Sequence, residues 1–347
     1  MKILIIQQKM IGDVLTSSIL FEALRLKYPK AQLDYLVNDH TVAVIENNPN
    51  IDNLILFTKE VEQSKAKLFK FAKSIGHEKY DIVVDVYSKI SSNLISIFSG
   101  AKTKISYHKS YSTLFYHHNI KREKSNSGKS GLAIVNRMQL LAPLGIEPKF
   151  IKPKIYLTEK EITNSKRFLE DHKIDFNKPL YMISVLGSGV KKTYPFNYMA
   201  KVIDTLVEET SGQILFNYIP KQEAEAKSIL DLCKQETQQH VFFNVFGKSL
   251  REFLALTHHC DAVIGNEGGA INMAKALGVK TFAIFSPWID KATWSLFEND
   301  DNVGVHLKDF KPELYTKPEK AFKNEALSLY EKFEPQLFED TLKNFLK

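Results

Sequence analysis

Cysteine is almost missing from this chain of 347 residues: Cys233 and Cys260 stand apart, with no CxxC pair and no even-numbered framework. That scarcity excludes a disulfide scaffold and a cysteine-held zinc, and it suits a reducing compartment. Long apolar runs are missing too. None approaches the roughly 18 residues that a membrane helix needs, and the start, one Lys and then "ILII" before "QQK", is too short for the hydrophobic region of a secretory signal. A cytoplasmic protein is expected. No GxGxxG follows the first strand, because "QQKMIGD" fills that turn, which counts against nicotinamide or flavin binding. "SGKSG" at 127–131 and "FGKS" at 246–249 resemble the end of a P-loop, but Glu123 and Phe242 stand where its first glycine is required. Asp-x-Asp is absent, and the histidine pairs 117/118 and 258/259 are adjacent rather than three or four apart, so no metal-ligand set is visible.

What remains is an ordinary globular composition, 44% apolar and 25% charged, at a length that suits two domains of about 100–200 residues each. The formal charge of +7 is unevenly placed: Lys59 to Lys129 holds 14 Lys/Arg against 6 Asp/Glu. A solvated face accounts for any one of these lysines. Together they suit an anionic partner, an acidic membrane surface or a phosphorylated lipid. Nucleic acid fits the sign of the charge but has no recognised binding signature here.

Short β-rich runs alternate with helical patterns from end to end. "KILII", "QLDYLV", "NLILF", "YDIVVDV" and "KISY" are separated by helical candidates such as Val14–Leu26 and Val61–Ser74. Runs that are apolar on both faces predict a parallel sheet covered by helices on each side. After a helix around Leu132–Ala142 the prolines at 143, 148 and 153 mark the boundary. The rhythm then restarts with "LYMISVLG", "GQILFNYI", "VFFNVFG", "DAVIGNE" and "KTFAIFS". Helices are expected near Phe196–Glu209, Lys221–Gln235, Leu250–His258 and Ala270–Leu277, and from Pro318 the tail is helical with a break at Pro335. The expected organisation is a Rossmann-like domain over 1–150, a second over 151–320, and helices over 321–347 that pack back towards the first domain, with a cleft between the two α/β halves.

Three strand-to-helix junctions carry the chemistry. In "MIGDVLTS", Asp13 sits at a helix N-terminus, where it either caps the helix or, with Gly12 turning the chain sharply, serves as a base for a substrate hydroxyl, a role typically contributing about 10²–10⁴-fold. "SVLGSGVKKTYP" offers Ser188, Lys191 and Lys192 to a phosphate, or is a solvated turn, with Pro195 at the first helical position. "DAVIGNEGGAINMAKALGV" places Gly265, Gly268 and Gly269 between strand and helix, where a diphosphate can approach bare backbone N–H groups; a tight turn with Glu267 as a first-turn acid is the plainer alternative.

Together the opening strand, "MIGD" and the late "MAKALGVKTFAIFSP" resemble glycosyltransferase family nine, the ADP-heptose:lipopolysaccharide heptosyltransferases, over nearly the whole chain. The resemblance implies a GT-B fold, no metal, and inverting transfer of a sugar from a nucleotide diphosphate, ADP-linked, to the lipopolysaccharide inner core. It implies Asp13 as catalytic base, with Met10 and Gly12 on the acceptor side. It also implies a donor site from Lys192, Glu223, Glu267, Gly268, Gly269 and Asn272, where Glu267, Gly268 and Asn272 stand in place of the family's Asp, Thr and His; Ser188 and Lys191 of the lysine loop are expected to join it. The partners implied are the nucleotide sugar and an acidic, lipid-linked saccharide at the inner membrane face. The rivals are a GT-B transferase using another nucleotide sugar on a surface polysaccharide, and a non-catalytic binding protein on the same fold.

Overall fold

The computed structural model describes residues 1–124, 131–147, 150–317 and 319–347. Most of the P-loop-like "SGKSG", Lys129 and Pro148 lie outside the described residues. The chain divides into two compact units, Met1–Tyr156 and Leu157–Lys347, a boundary slightly later than the expected 150. The strip after 150 stays with the first unit, where Lys154 Nζ meets Glu22 Oε2 at 2.9 Å.

The first unit holds β1 (Lys2–Ile6), β2 (Gln32–Asn38), β3 (Asn53–Phe57), β4 (Ile82–Asp85), β5 (Thr103–Tyr107) and β6 (His118–Ile120), in the sheet order β3-β2-β1-β4-β5-β6. Every pairing is parallel. The central strands are buried on both faces, as "ILII" and "IVVD" require. The second unit holds β7 (Leu180–Ser184), β8 (Gln213–Phe216), β9 (Ala262–Asn266), β10 (Lys280–Ile284) and β11 (Asn302–Val305), in the order β11-β10-β9-β7-β8, again all parallel. In each sheet the order reverses once, between β1 and β4 and between β7 and β9. Above such a reversal the two neighbouring crossovers lie on opposite faces, which opens a crevice at the strands' carboxyl ends.

Several expectations need correction. "VFFNVFG" is not a strand: Val241 makes an isolated bridge to Ile214, whose N–H and carbonyl bond residues 240 and 242. Its aromatic residues fold over the edge of β8 instead, with Phe243 stacked on Tyr218 at 5.0 Å between centroids. The short edge strands β6 and β11 were not expected. The first long helix is broken at Ser18 into Ile11–Ser17 and Ile19–Lys27, and Val61–Ser74 is two helices, Lys59–Gln63 and Lys65–His77. Pro195 is the residue before the Phe196–Thr210 helix rather than its first residue.

The C-terminal helices, expected to pack towards the first domain, complete the second unit's core. Phe333, Phe338 and Leu342 are buried there with Phe282 and Val207, and Lys343 pairs with Glu209 at 3.3 Å. Four aromatic rings around Tyr194, two of them also packed on each other, explain the preference, since such side chains dominate core energetics.

Candidate active site

At the reversal of the first sheet, β1 runs through Gln7 to Lys9 into the Ile11–Ser17 helix. Because that helix starts at Ile11, Gly12 lies inside its first turn without a positive φ, and the expected sharp turn at Gly12 is absent. A Cβ built on Gly12 would meet nothing within 4 Å, so the space above it is open. Met10 precedes the helix, is 67% exposed, and accepts from Val14 N–H through its carbonyl.

Asp13 makes no capping bond. Its Oδ1 receives Arg137 Nη2 at 2.6 Å from the Leu132–Gln139 helix, while Arg137 Nε donates to Ser17 Oγ at 2.8 Å and Nη1 to the Ala133 carbonyl at 2.9 Å. The guanidinium is buried and the Asp13 side chain about one-third exposed, and among the described residues no hydrogen bond to Oδ2 is found. Beside it, Asp85 ends β4 fully buried, accepting from Ser88 N–H at 2.7 Å and from the Tyr116 hydroxyl, and burial pushes its pKa up to about 6. It ties down the loop after β4 rather than facing solvent.

At the reversal of the second sheet, the loops after β7 and β9 lie side by side. Gly187 is needed for packing: a Cβ there would come within 2.1 Å of the Lys192 carbonyl. The loop closes further through Thr193 Oγ1, which receives Gly187 N–H at 3.1 Å. The carbonyl of Lys191 is clamped by Ser286 Oγ at 2.6 Å and Trp288 Nε1 at 3.0 Å, from the end of β10. Lys192 Nζ lies 5.6 Å from the Trp288 ring centre, and Ser188 is exposed at the tip.

The glycines of the third junction divide in function. Gly265 is inside β9 at φ 127°, and a Cβ on it would meet the Ser184 carbonyl at 2.5 Å, so it serves strand packing. Gly268 and Gly269 open the Gly269–Leu277 helix, and side-chain atoms there would enter largely free space. Those bare N–H groups sit at the positive end of the helix dipole, an arrangement made for anions. Asn266 fixes the turn by donating to the Ser184 and Val185 carbonyls and accepting Tyr194 N–H at 2.7 Å.

Glu267 precedes the helix rather than sitting in its first turn. Burial drives its pKa above the ordinary carboxylate value, against the opposing pull of Lys192 and Lys275. Its Oε2 is buried with no hydrogen-bond partner among the described residues, a position that ordinarily costs about 1–3 kcal/mol. Asn272 is half-buried one turn into the helix. Glu223 begins the Glu223–Leu232 helix after β8, exposed, and nothing bonds it to the other donor-side residues among those described. No three His, Cys, Asp or Glu among the described residues are grouped to hold a metal ion.

Arg137, Trp288, Ser286 and Asn266 were not anticipated. Arg137 lies 124 positions from Asp13 with no local signal; Trp288, in "FSPWID" after a strand, could have been noticed as an aromatic at a carboxyl edge.

Over residues 68–322 the chain matches Glycosyltransferase family 9 (heptosyltransferase). It is 23% identical over 295 residues to lipopolysaccharide heptosyltransferase 1 of Campylobacter coli, covering 82% of this chain and 84% of that protein. Its fold resembles the glycosyl transferase family 9 structure from Veillonella parvula, with TM-score 0.73, 17% identity, and 95% and 97% of the two chains covered. It also resembles E. coli ADP-heptose lps heptosyltransferase II, with TM-score 0.68, 16% identity, and 96% and 99% covered. The two all-parallel sheets, each reversed once, are thus the two Rossmann-like halves of a GT-B fold, and the chain belongs to glycosyltransferase family 9, the heptosyltransferases.

Proposed function

We propose that this glycosyltransferase moves a heptose from an ADP-linked donor, with inversion and without a metal, to an acidic, lipid-linked acceptor of the lipopolysaccharide or lipooligosaccharide core. The names of its relatives support the sugar and the acceptor class. In the reaction the acceptor oxygen attacks the anomeric carbon, and its proton passes to Asp13 Oδ2. The bond to the diphosphate breaks with its electron pair going to the leaving group. Asp13 is the base, and Arg137 is a positioning residue that holds its other oxygen.

On the donor side, Lys192 and the N–H groups at Gly268 and Gly269 receive the charge that develops on the diphosphate. Lys191 and Ser188 extend the same loop, and Asn272 and Glu267 face the sugar. Glu223 takes the nucleoside ribose. The observation that carries this reading is the buried, unpartnered Oε2 of Glu267 beside the open helix start, because a sugar hydroxyl supplies the donor it lacks. A second reading is favoured by Gly268 and Asn272, where the family pattern has a hydroxyl and an imidazole: another nucleotide sugar, used on a surface polysaccharide.

The test is a panel of ADP-, GDP- and UDP-sugars assayed for binding and slow hydrolysis, with the product anomer read by NMR. Preference for ADP-heptose with an inverted product is expected. Preference for a UDP-sugar, or a retained anomer, overturns the first reading.

A further inference from the structure

From Val86 to Arg122 the chain carries no Asp or Glu and six Lys/Arg, at 89, 102, 104, 109, 121 and 122. The same stretch exposes large apolar side chains. Leu114 is 96% exposed and Ile90 81%, and Ile97, Tyr111 and Phe115 are exposed too. Phe69, on the adjoining Lys65–His77 helix, is exposed beside Phe98 with Lys73 Nζ 4.8 Å from its ring.

The elements that carry the exposed apolar side chains are neighbours in space. The Ile90–Phe98 helix packs against the Lys65–His77 helix on one side and the Thr113–Phe115 turn on the other. Nor are the apolar tips loose. Tyr116, buried, bonds Asp85 and Asn93 Oδ1, and Asn119 Nδ2 donates to the Thr113 and Tyr116 carbonyls at 3.1 Å, so the 111–115 loop is pinned with Leu114 pointing outward. Among the described residues no carboxylate pairs with Lys70, Lys73, Lys89, Lys102, Lys104 or Lys121. The nearby acids are already engaged, Glu60 by Lys67, Glu62 by Lys9, and Asp85 by burial.

A rigidly held apolar tip in a stretch whose lysines lack carboxylate partners has the chemistry of an interfacial anchor: side chains such as Leu and Ile enter the acyl boundary while the cations stay at anionic headgroups. We infer that this face of the first unit docks on an anionic bilayer, with Leu114 and Ile90 as the inserted residues. Lys89 and Ile90 lie where β4 passes into its helix, the same carboxyl edge from which Asp13 follows β1, so docking brings that edge to the membrane. For its purpose, delivery of a lipid-linked acceptor, the inference rests on the proposed function; for its test it needs no acceptor.

The experiment is flotation of the full-length protein with phosphatidylglycerol/phosphatidylethanolamine vesicles and with phosphatidylcholine vesicles. It is run on the wild type, Ile90→Asp/Leu114→Asp and Lys70→Gln/Lys73→Gln, with size-exclusion chromatography and thermal unfolding as companions. All four positions are exposed, so the variants should fold as the wild type does. Expected is binding to the anionic vesicles alone, weakened by salt, at least tenfold weaker for the aspartate pair and by up to about fivefold per lysine removed. Leu114→Trp should add a fluorescence blue shift on the same vesicles. Unchanged binding by the aspartate pair, or a wild-type dimer that this pair dissociates, overturns the inference, the latter by assigning the face to a second copy of the chain. Donor hydrolysis measured without vesicles is a separate readout, so a failed donor assignment and a failed docking face remain distinguishable.

Discussion

Arg137 holds Asp13 Oδ1 at 2.6 Å with a buried guanidinium, which on the proposed function leaves Oδ2 for the incoming hydroxyl. Asp13→Ala is expected to lower transfer about 10²–10⁴-fold with donor binding retained, measured by product formation alongside nucleotide titration; normal turnover removes the base assignment. Arg137→Met keeps the volume but frees the carboxylate, and should lower kcat more than it raises KM for the donor. Glu267 is tested through stability. Its folded pKa is raised, so the folded state binds its proton more tightly than the unfolded chain, and stability falls as pH rises from the ordinary carboxylate value through the raised one. Glu267→Gln should therefore raise stability by about 1 kcal/mol at pH 8, with the gain vanishing near pH 4, while donor affinity drops. A thermal-unfolding series against pH decides it; a variant less stable than wild type at pH 8 shows that the carboxylate is paired.

Glycine in the turn after β9 has one duty to the fold and, on the proposed function, another to the ligand. Gly265→Ala puts a methyl 2.5 Å from the Ser184 carbonyl at a positive φ, so it should destabilise by several kcal/mol. Gly268→Ala places its methyl in open space and should leave the melting temperature within about 1 °C while weakening donor binding tenfold or more. Equal losses of stability in the two variants would mean that both glycines serve packing. Read from the chain alone, the three glycines looked alike. Their spacing announces a tight strand-to-helix turn, but which Cβ collides depends on how close β7 lies, a fact carried by residues 81 positions away. The same limit explains "VFFNVFG": its apolar run suits a strand, and only the single bridge to Ile214 reveals that it folds over an edge instead.

At the scale of the molecule, each sheet reverses its order once, and the predicted chemistry sits at those reversals: Asp13 after β1, Lys192 after β7, Glu267 to Gly269 after β9. Donor at a hundred times its Kd should stabilise the protein by about 2.7 kcal/mol, with new hydrogen-exchange protection in the loops after β7, β9 and β10 of the second unit. Protection confined to the first unit would reverse the assignment of donor and acceptor halves. Much of this organisation was legible beforehand. The central strands, the helices Phe196–Thr210, Leu250–His258 and Gly269–Leu277, and the two α/β halves follow from hydrophobic periodicity, which is written in neighbouring residues. The edge strands β6 and β11, HNI and NVGV, lack the continuous apolar run that marks the central strands. By itself, then, the amino-acid order determined two parallel α/β units and the strand-to-helix junctions to which the proposed chemistry is assigned, because strands, helices and turns are coded locally. Only the tertiary structure decided that Asp13 answers to Arg137, that Gly265 serves the sheet while Gly268 and Gly269 stay open, and that the tail completes the second core. Each depends on which distant surface a side chain meets, and no local pattern carries that information.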